Sequence, residues 1–135
     1  MKSVLAILGF AFAVQVQAAP TPAPADAKVM FTAPKNGETV PQKFKVKFTA
    51  MNIKVEKAGV VKSGFGHHHL IIDGAGEPAG AVVAKDAAHM HFGDGQTETE
   101  ITLPPGKHTL TLQFADGAHM SYGPALSQTI TVNVK

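Results

Sequence analysis

The sequence predicts an all-β fold, an immunoglobulin-like antiparallel β-sandwich of about seven strands. Three observations predict it. Apolar residues recur at every second position in several separate stretches, the period of a strand with one buried face. Pro34-Lys35-Asn36-Gly37, Asp73-Gly74 and Pro104-Pro105-Gly106 punctuate those stretches as turns. No stretch of the folded region carries a convincing apolar stripe at helical spacing.

Taken in order, the chain starts with "MKSVLAILGFAFAVQVQA", residues 1–18. Lys2 is a positive start, an apolar run follows, and Gln17-Ala18 closes a small-residue cleavage pattern. This is the layout of a secretory signal peptide, and its apolar run is too short to span a bilayer. The expected destination is a bacterial periplasm or the exterior. Residues 19–27, "APTPAPADA", alternate Pro with Ala and read as an extended tether. Residues 28–135 have the size of one domain. With no cysteine, that domain must fold on its apolar core alone.

Strands are expected at residues 28–32, 43–50, 68–73, 80–84, 97–103, 108–115 and 128–134. In "KFKVKFTA" Phe44, Val46, Phe48 and Ala50 share one face, and lysines and Thr49 take the other. In "KHTLTLQF" His108, Leu110, Leu112 and Phe114 oppose Thr109, Thr111 and Gln113. In "QTITVNVK" Ile130, Val132 and Val134 oppose threonines and Asn133. In "HHHLIID" Leu70 and Ile72 are placed toward the core, which puts His68 there too and His67, His69 and Ile71 outside. "AGAVVAKDAAHM" is ambiguous and is read as a short strand plus a loop.

All twelve basic residues are lysines and the formal net charge is +2. Without arginine there is no bidentate clamp for phosphate or guanine, so nucleic acid is not the expected partner. The lysines of "KFKVKF" read as a solvated strand face that deters edge pairing.

The chemistry lies in the seven histidines. In a sandwich of this type the loops at residues 51–66, 87–96 and 116–124 gather at one pole. His67, His68, His69, His89, His91 and His119 therefore meet there, and His108 falls at the other pole. Side-chain alternation selects His67 and His69 together, and His89 with His91. The phrase Ala-His-Met occurs twice, so Met90 and Met120 join the candidate ligands. Imidazole suits copper, zinc, nickel and iron, and thioether sulfur adds a preference for Cu(I), so copper is expected first and zinc second. An unperturbed imidazole near 6.5 would lose metal as pH falls below roughly 6. The structural alternative is that each ring is hydrogen-bonded at a strand end; for His108 a buried, bonded ring in the core is expected. Asp94 and Asp116, each followed by Gly, read first as turn residues.

"GHHHLIID" and "HFGDGQTE", with "FTAPKNGETVPQKFKVKF" and the stretch from "ITLPPGKHTLTL" to the C-terminus, resemble the bacterial domain-of-unknown-function family 4399. The resemblance implies an exported sandwich domain and brings no established activity. A weaker similarity is to periplasmic copper-resistance domains of the CopC type, through the "LPPG" turn and Asp116-x-x-His119. It would imply a Cu(II) ligand at His119. That family also uses a ligand at the mature N-terminus, and here the mature chain would begin Ala19-Pro20. "GFGHHH" is faintly similar to strands of copper–zinc superoxide dismutase, without that family's disulfide cysteines.

Three functions compete. The first is an exported metal-binding module that handles or delivers copper, with a metal ion and another periplasmic protein as partners. The second is a tethered interaction or adhesion module with structural histidines. The third is a small metalloenzyme. No G-x-S-x-G elbow, HExxH or phosphate-binding glycine loop is present, so catalysis is not the expectation.

Overall fold

The computed structural model describes residues 20–135, and the expected signal peptide at residues 1–18 lies outside them. The strands are β1 (Lys28–Ala33), β2 (Thr39–Val40), β3 (Lys43–Met51), β4 (Lys54–Val55), β5 (Phe65–Ile72), β6 (His89–His91), β7 (Glu98–Thr102), β8 (Gly106–Ala115) and β9 (Ser127–Val134). One sheet has the order β1-β3-β7. The other has the order β2-β9-β8-β5-β4, with β6 paired to β5 beside β4. The two form a curled, not fully closed, sandwich-like all-β arrangement.

Alternation builds the core as expected. In β3 Phe44, Val46 and Phe48 are buried while Lys43, Lys45 and Lys47 are exposed. Lys43 and Lys47 reach Glu100 and Glu98 of β7 at 3.3 and 4.0 Å, exposed pairs worth about 0–1 kcal/mol each. Leu70, Leu110, Leu112, Phe114, Ile130, Val132 and Val134 complete the buried set from the facing sheet. Each such side chain contributes roughly 1.5–3 kcal/mol. Ile72, expected in the core, is half-buried but still packs against it.

β5 departs from alternation: His67, His68, His69, Leu70 and Ile71 are all 0–1 % exposed. Register explains the two faces. His68 and Leu70 oppose Phe114 and Leu112 on the inner face, whereas His67, His69 and Ile71 oppose Ala115, Gln113 and Thr111 on the outer one. The outer face is roofed by chain rather than by water. Thr111 Oγ1 donates to the Gly74 carbonyl, the Glu77 amide donates to Gln113 Oε1, and Ser121 Oγ donates to the Glu77 carbonyl. Gly74 and Gly76 permit this approach, since an added Cβ would stand 2.8 Å from Ile71 Cγ2 and from Gln113 Oε1 respectively. Ile71 thus lies on the side expected but is not exposed there.

Two further expectations change. Residues 80–84 do not form a regular strand. Val82 makes an isolated bridge to Met120 and is 67 % exposed, and Gly80 takes φ +83°. The segment still runs along residues 119–121, with the Val83 amide donating to the His119 carbonyl at 2.9 Å and the Ser121 amide to the Ala81 carbonyl at 2.8 Å. The Pro/Ala-rich segment, expected as a tether, lies against the domain from Thr21 onward. Thr21 Oγ1 donates to Asp116 Oδ2 at 2.6 Å, Ala23 packs on the core and Ala27 is buried.

Candidate metal centre

The centre forms on the roofed outer face of the six-stranded sheet. β5 supplies His67 and His69, which share that face because they are two residues apart. β6 pairs antiparallel to β5 with His91 opposite His69, so the third imidazole comes from a neighbouring strand on the same face. The fourth, His119, sits in the turn from Asp116 to Met120, with φ +64° in the left-handed region. One nitrogen from each of His67, His69, His91 and His119 lies within 4.8 Å of the other three.

The close contacts centre on one atom. His67 Nε2 is 3.0 Å from His69 Nε2 and 3.1 Å from His119 Nδ1. A neutral ring nitrogen has one N–H or one in-plane lone pair, so at most one of these contacts is a full hydrogen bond. His67 Nδ1, His69 Nδ1 and His91 Nε2 are buried without any partner. Nitrogens about 2.0–2.1 Å from a tetrahedral metal stand about 3.3–3.4 Å apart, so small ring rotations would bring this set into coordination. The four rings therefore suit a shared cation better than they suit one another.

Burial and neighbouring charge lower the basicity of His67, His69 and His91. Burial, followed by the nearby His91 and His119, pushes His67 down to about 4, against a smaller upward pull from Asp116. Burial and then His67, His91, His119 and His68 push His69 down to about 3. His91 is lowered by burial first, then by His119 and Lys85, with Asp94 opposing. Imidazole binds metal as the neutral base, so burial has already removed the competing proton at neutral pH.

Room for the site comes from glycine. A Cβ at Gly93 would overlap the His91 ring, and one at Gly117 would overlap the Val60 backbone beneath the His119 turn. Neither glycine stood out in the sequence. Asp116 did, as a turn residue, and it is one: it is 1 % exposed, and its Oδ1 accepts from the Ala118 and Met120 amides at 2.9 and 3.1 Å.

Among the other candidate ligands, His89 and Met90 lie outside this group, as does His68. His89 is opposite Ile71 and its Nδ1 meets Asp86 Oδ1 at 2.8 Å. Met90 is opposite Leu70 on the inner face and packs against the core. Met120 follows His119 in the chain and is partly buried. His68, on the inner face, has its ring centroid 4.8 Å from Phe48 and 5.0 Å from Phe114, and neither of its nitrogens has a partner.

His108 corrects an expectation. It keeps the core-facing register of β8 but lies at the sheet's end, where the core gives way to the turn at residues 104–106, and its side chain is 13 % exposed. Its Nδ1 meets Asp73 Oδ2 at 2.8 Å and its Nε2 meets the Pro104 carbonyl at 2.9 Å. The Asp73 hydrogen bond, first among the causes, raises its pKa. Along β8, His108 is seven residues from Ala115, which faces His67. That is about 23 Å, so His108 stands apart from the four-histidine group as expected.

A family model described as "Domain of unknown function (DUF4399)" matches residues 46–135. Neither the comparison with curated proteins nor that with solved structures returned a match. Among the described residues no helix is long and apolar enough to cross a membrane.

Proposed function

The chain belongs to the DUF4399 family, whose description states no activity, and from the site itself we propose that it is an exported metal-binding module that handles or delivers copper. The observation that carries the reading is the convergence of His67, His69, His91 and His119 on one another, with one buried nitrogen each of His67, His69 and His91 lacking a hydrogen-bond partner. Four nitrogen donors with no oxygen or thiolate suit a late first-row divalent ion. Nitrogen sites bind Cu(II) more tightly than Zn(II), which supports copper first and zinc second. With Met90 packed against the core from the inner face, the thioether argument for Cu(I) rests on Met120 alone. Four imidazoles fill a tetrahedral set and leave no open position for substrate, which favours binding and transfer over turnover. Export rests on residues 1–18 and makes a periplasmic protein the recipient.

The test is calorimetric titration of tag-free protein with Cu(II) and Zn(II), and Cu(I) competition against a chelator, beside the His119→Ala variant. One ion should bind per chain, with Cu(II) tighter than Zn(II), and the variant should bind more weakly. Equal binding by wild type and variant would overturn the reading.

A further inference from the structure

The imidazoles do not form the whole of this centre. Asp116 is 1 % exposed, and among the described residues it makes no ion pair with a lysine. A buried carboxylate without a cation is costly unless its oxygens are bonded and a positive charge comes near. Hydrogen bonds answer part of that need. Oδ1 takes the Ala118 and Met120 amides, and Oδ2 takes the Thr21 hydroxyl at 2.6 Å. The backbone closes the same turn twice more: the His119 amide donates to the Asp116 carbonyl and the Asp116 amide to the Met120 carbonyl, both at 2.9 Å. His119 is thereby held at its left-handed φ of +64°, a conformation that costs a non-glycine residue about 1–2 kcal/mol and persists only where the surroundings impose it.

Thr21 belongs to the N-terminal segment, 95 residues from Asp116 in sequence. Beside it, Pro20 packs over Gly80, with a notional Gly80 Cβ 3.3 Å from the Pro20 ring, and the Gly80 amide donates to the Ser121 carbonyl at 2.8 Å. The segment thus touches the Asp116 turn that leads to His119 and Gly80, which bonds to Ser121 just after it. The negative charge of Asp116 also acts favourably on positive charge at His67.

The geometry points to Asp116 as the outer anion of the metal centre, balancing the bound cation and positioning His119, and to Thr21 as the strap that holds Asp116 in place. This rests on the metal reading above. Asp116 is a positioning residue, not a ligand: its oxygens are occupied by the turn and by Thr21. The arrangement predicts that the Pro/Ala-rich segment governs metal retention, which a plain tether would not do.

Two isosteric variants of the intact, tag-free protein separate charge from position. Asp116→Asn keeps an oxygen for the Ala118 and Met120 amides and removes the charge. Thr21→Val keeps the shape and removes the hydroxyl, and Thr21→Ser restores it. The probes are Zn(II) for affinity and release rate, and Co(II) for its visible spectrum, with the melting of the metal-free proteins measured in parallel. Outer-sphere changes typically cost 10–100-fold in metal affinity, and Asp116→Asn should fall in that range. Thr21→Val should release Zn(II) about tenfold faster and alter the Co(II) spectrum, with Thr21→Ser restoring both. Metal-free melting of the valine variant should stay within a few degrees of wild type. If wild type binds Zn(II) and both variants match it in affinity, rate and spectrum, the strap is wrong and the four-histidine site stands. If wild type binds neither ion, both fall together. If Thr21→Ser fails to restore what Thr21→Val loses, the hydroxyl contact is not the cause and the proposal for Thr21 is overturned.

Discussion

Acidification tests whether burial, rather than composition, sets the behaviour of the centre. An imidazole of ordinary pKa 6.5 is about 3 % neutral at pH 5.0. With His67 pushed to about 4 and His69 to about 3, chiefly by burial, these two rings stay largely neutral at that pH. The neutral fractions are about 90 % and 99 %, so the pair spares the site a loss of roughly 10³-fold, or about 4 kcal/mol. The groups facing the pair are His91, His119, Asp116 and, on the inner side, His68. His91 is itself lowered, with Lys85 and Asp94 acting on it in opposite senses. Equilibrium dialysis against fixed free Zn(II) at pH 7.5 and 5.0, read by elemental analysis, measures the loss directly. Four ordinary imidazoles would lose roughly 10⁶-fold across that range. A loss of that size would refute the reasoning; the expected loss is no more than roughly 10³-fold. The same lowered values make the metal-free fold acid-sensitive. The folded pKa values lie below the unfolded ones, so the unfolded chain binds more protons between about 3 and 6.5. Stability is therefore full above about 6.5 and declines as pH falls through that window.

Other outcomes follow from single side chains. His119→Gly should remove tight metal binding while raising metal-free stability by about 0.5–1 kcal/mol, because glycine adopts the left-handed turn without strain; calorimetry and urea melts read the two separately. His68→Leu should stabilise the metal-free protein by about 1–3 kcal/mol and leave Zn(II) affinity within a few-fold, since it removes two unpartnered nitrogens on the inner face; an equal or lower urea midpoint would count against it. His108→Ala should cost about 0.2–1 kcal/mol in urea melts and leave metal binding unchanged. Its folded pKa is raised, so that contribution should be present in full below pH 6.5 and vanish as pH rises through the folded value. A loss that grows toward alkaline pH would show the sign to be wrong.

Strand placement was legible because a period of two survives in any half-buried strand. β3, β8 and β9 begin and end within two residues of where alternation puts them, and the lysine face of β3 is solvated as its pattern implies. The pairing of His67 with His69, the separation of His108 from the group and the inclusion of His91 and His119 also follow from parity and loop position alone. Sequence could not tell His91 from His89. Both share a face, and only the register of β6 on β5 sets His91 against His69 and leaves His89 to Asp86. Nor could it show that the outer face is dry. Residues 74–77 fold back over Ile71, Thr111 and Gln113, and the rings of His91 and His119 pack on His67 and His69, contacts between segments with no local signature. The same holds for Thr21 against Asp116, residues 95 apart. Which side chains alternate and which donors exist can be read along the chain, because those are properties of neighbours. Which donors meet, and at what pKa, depends on desolvation and distance between segments that local sequence does not connect.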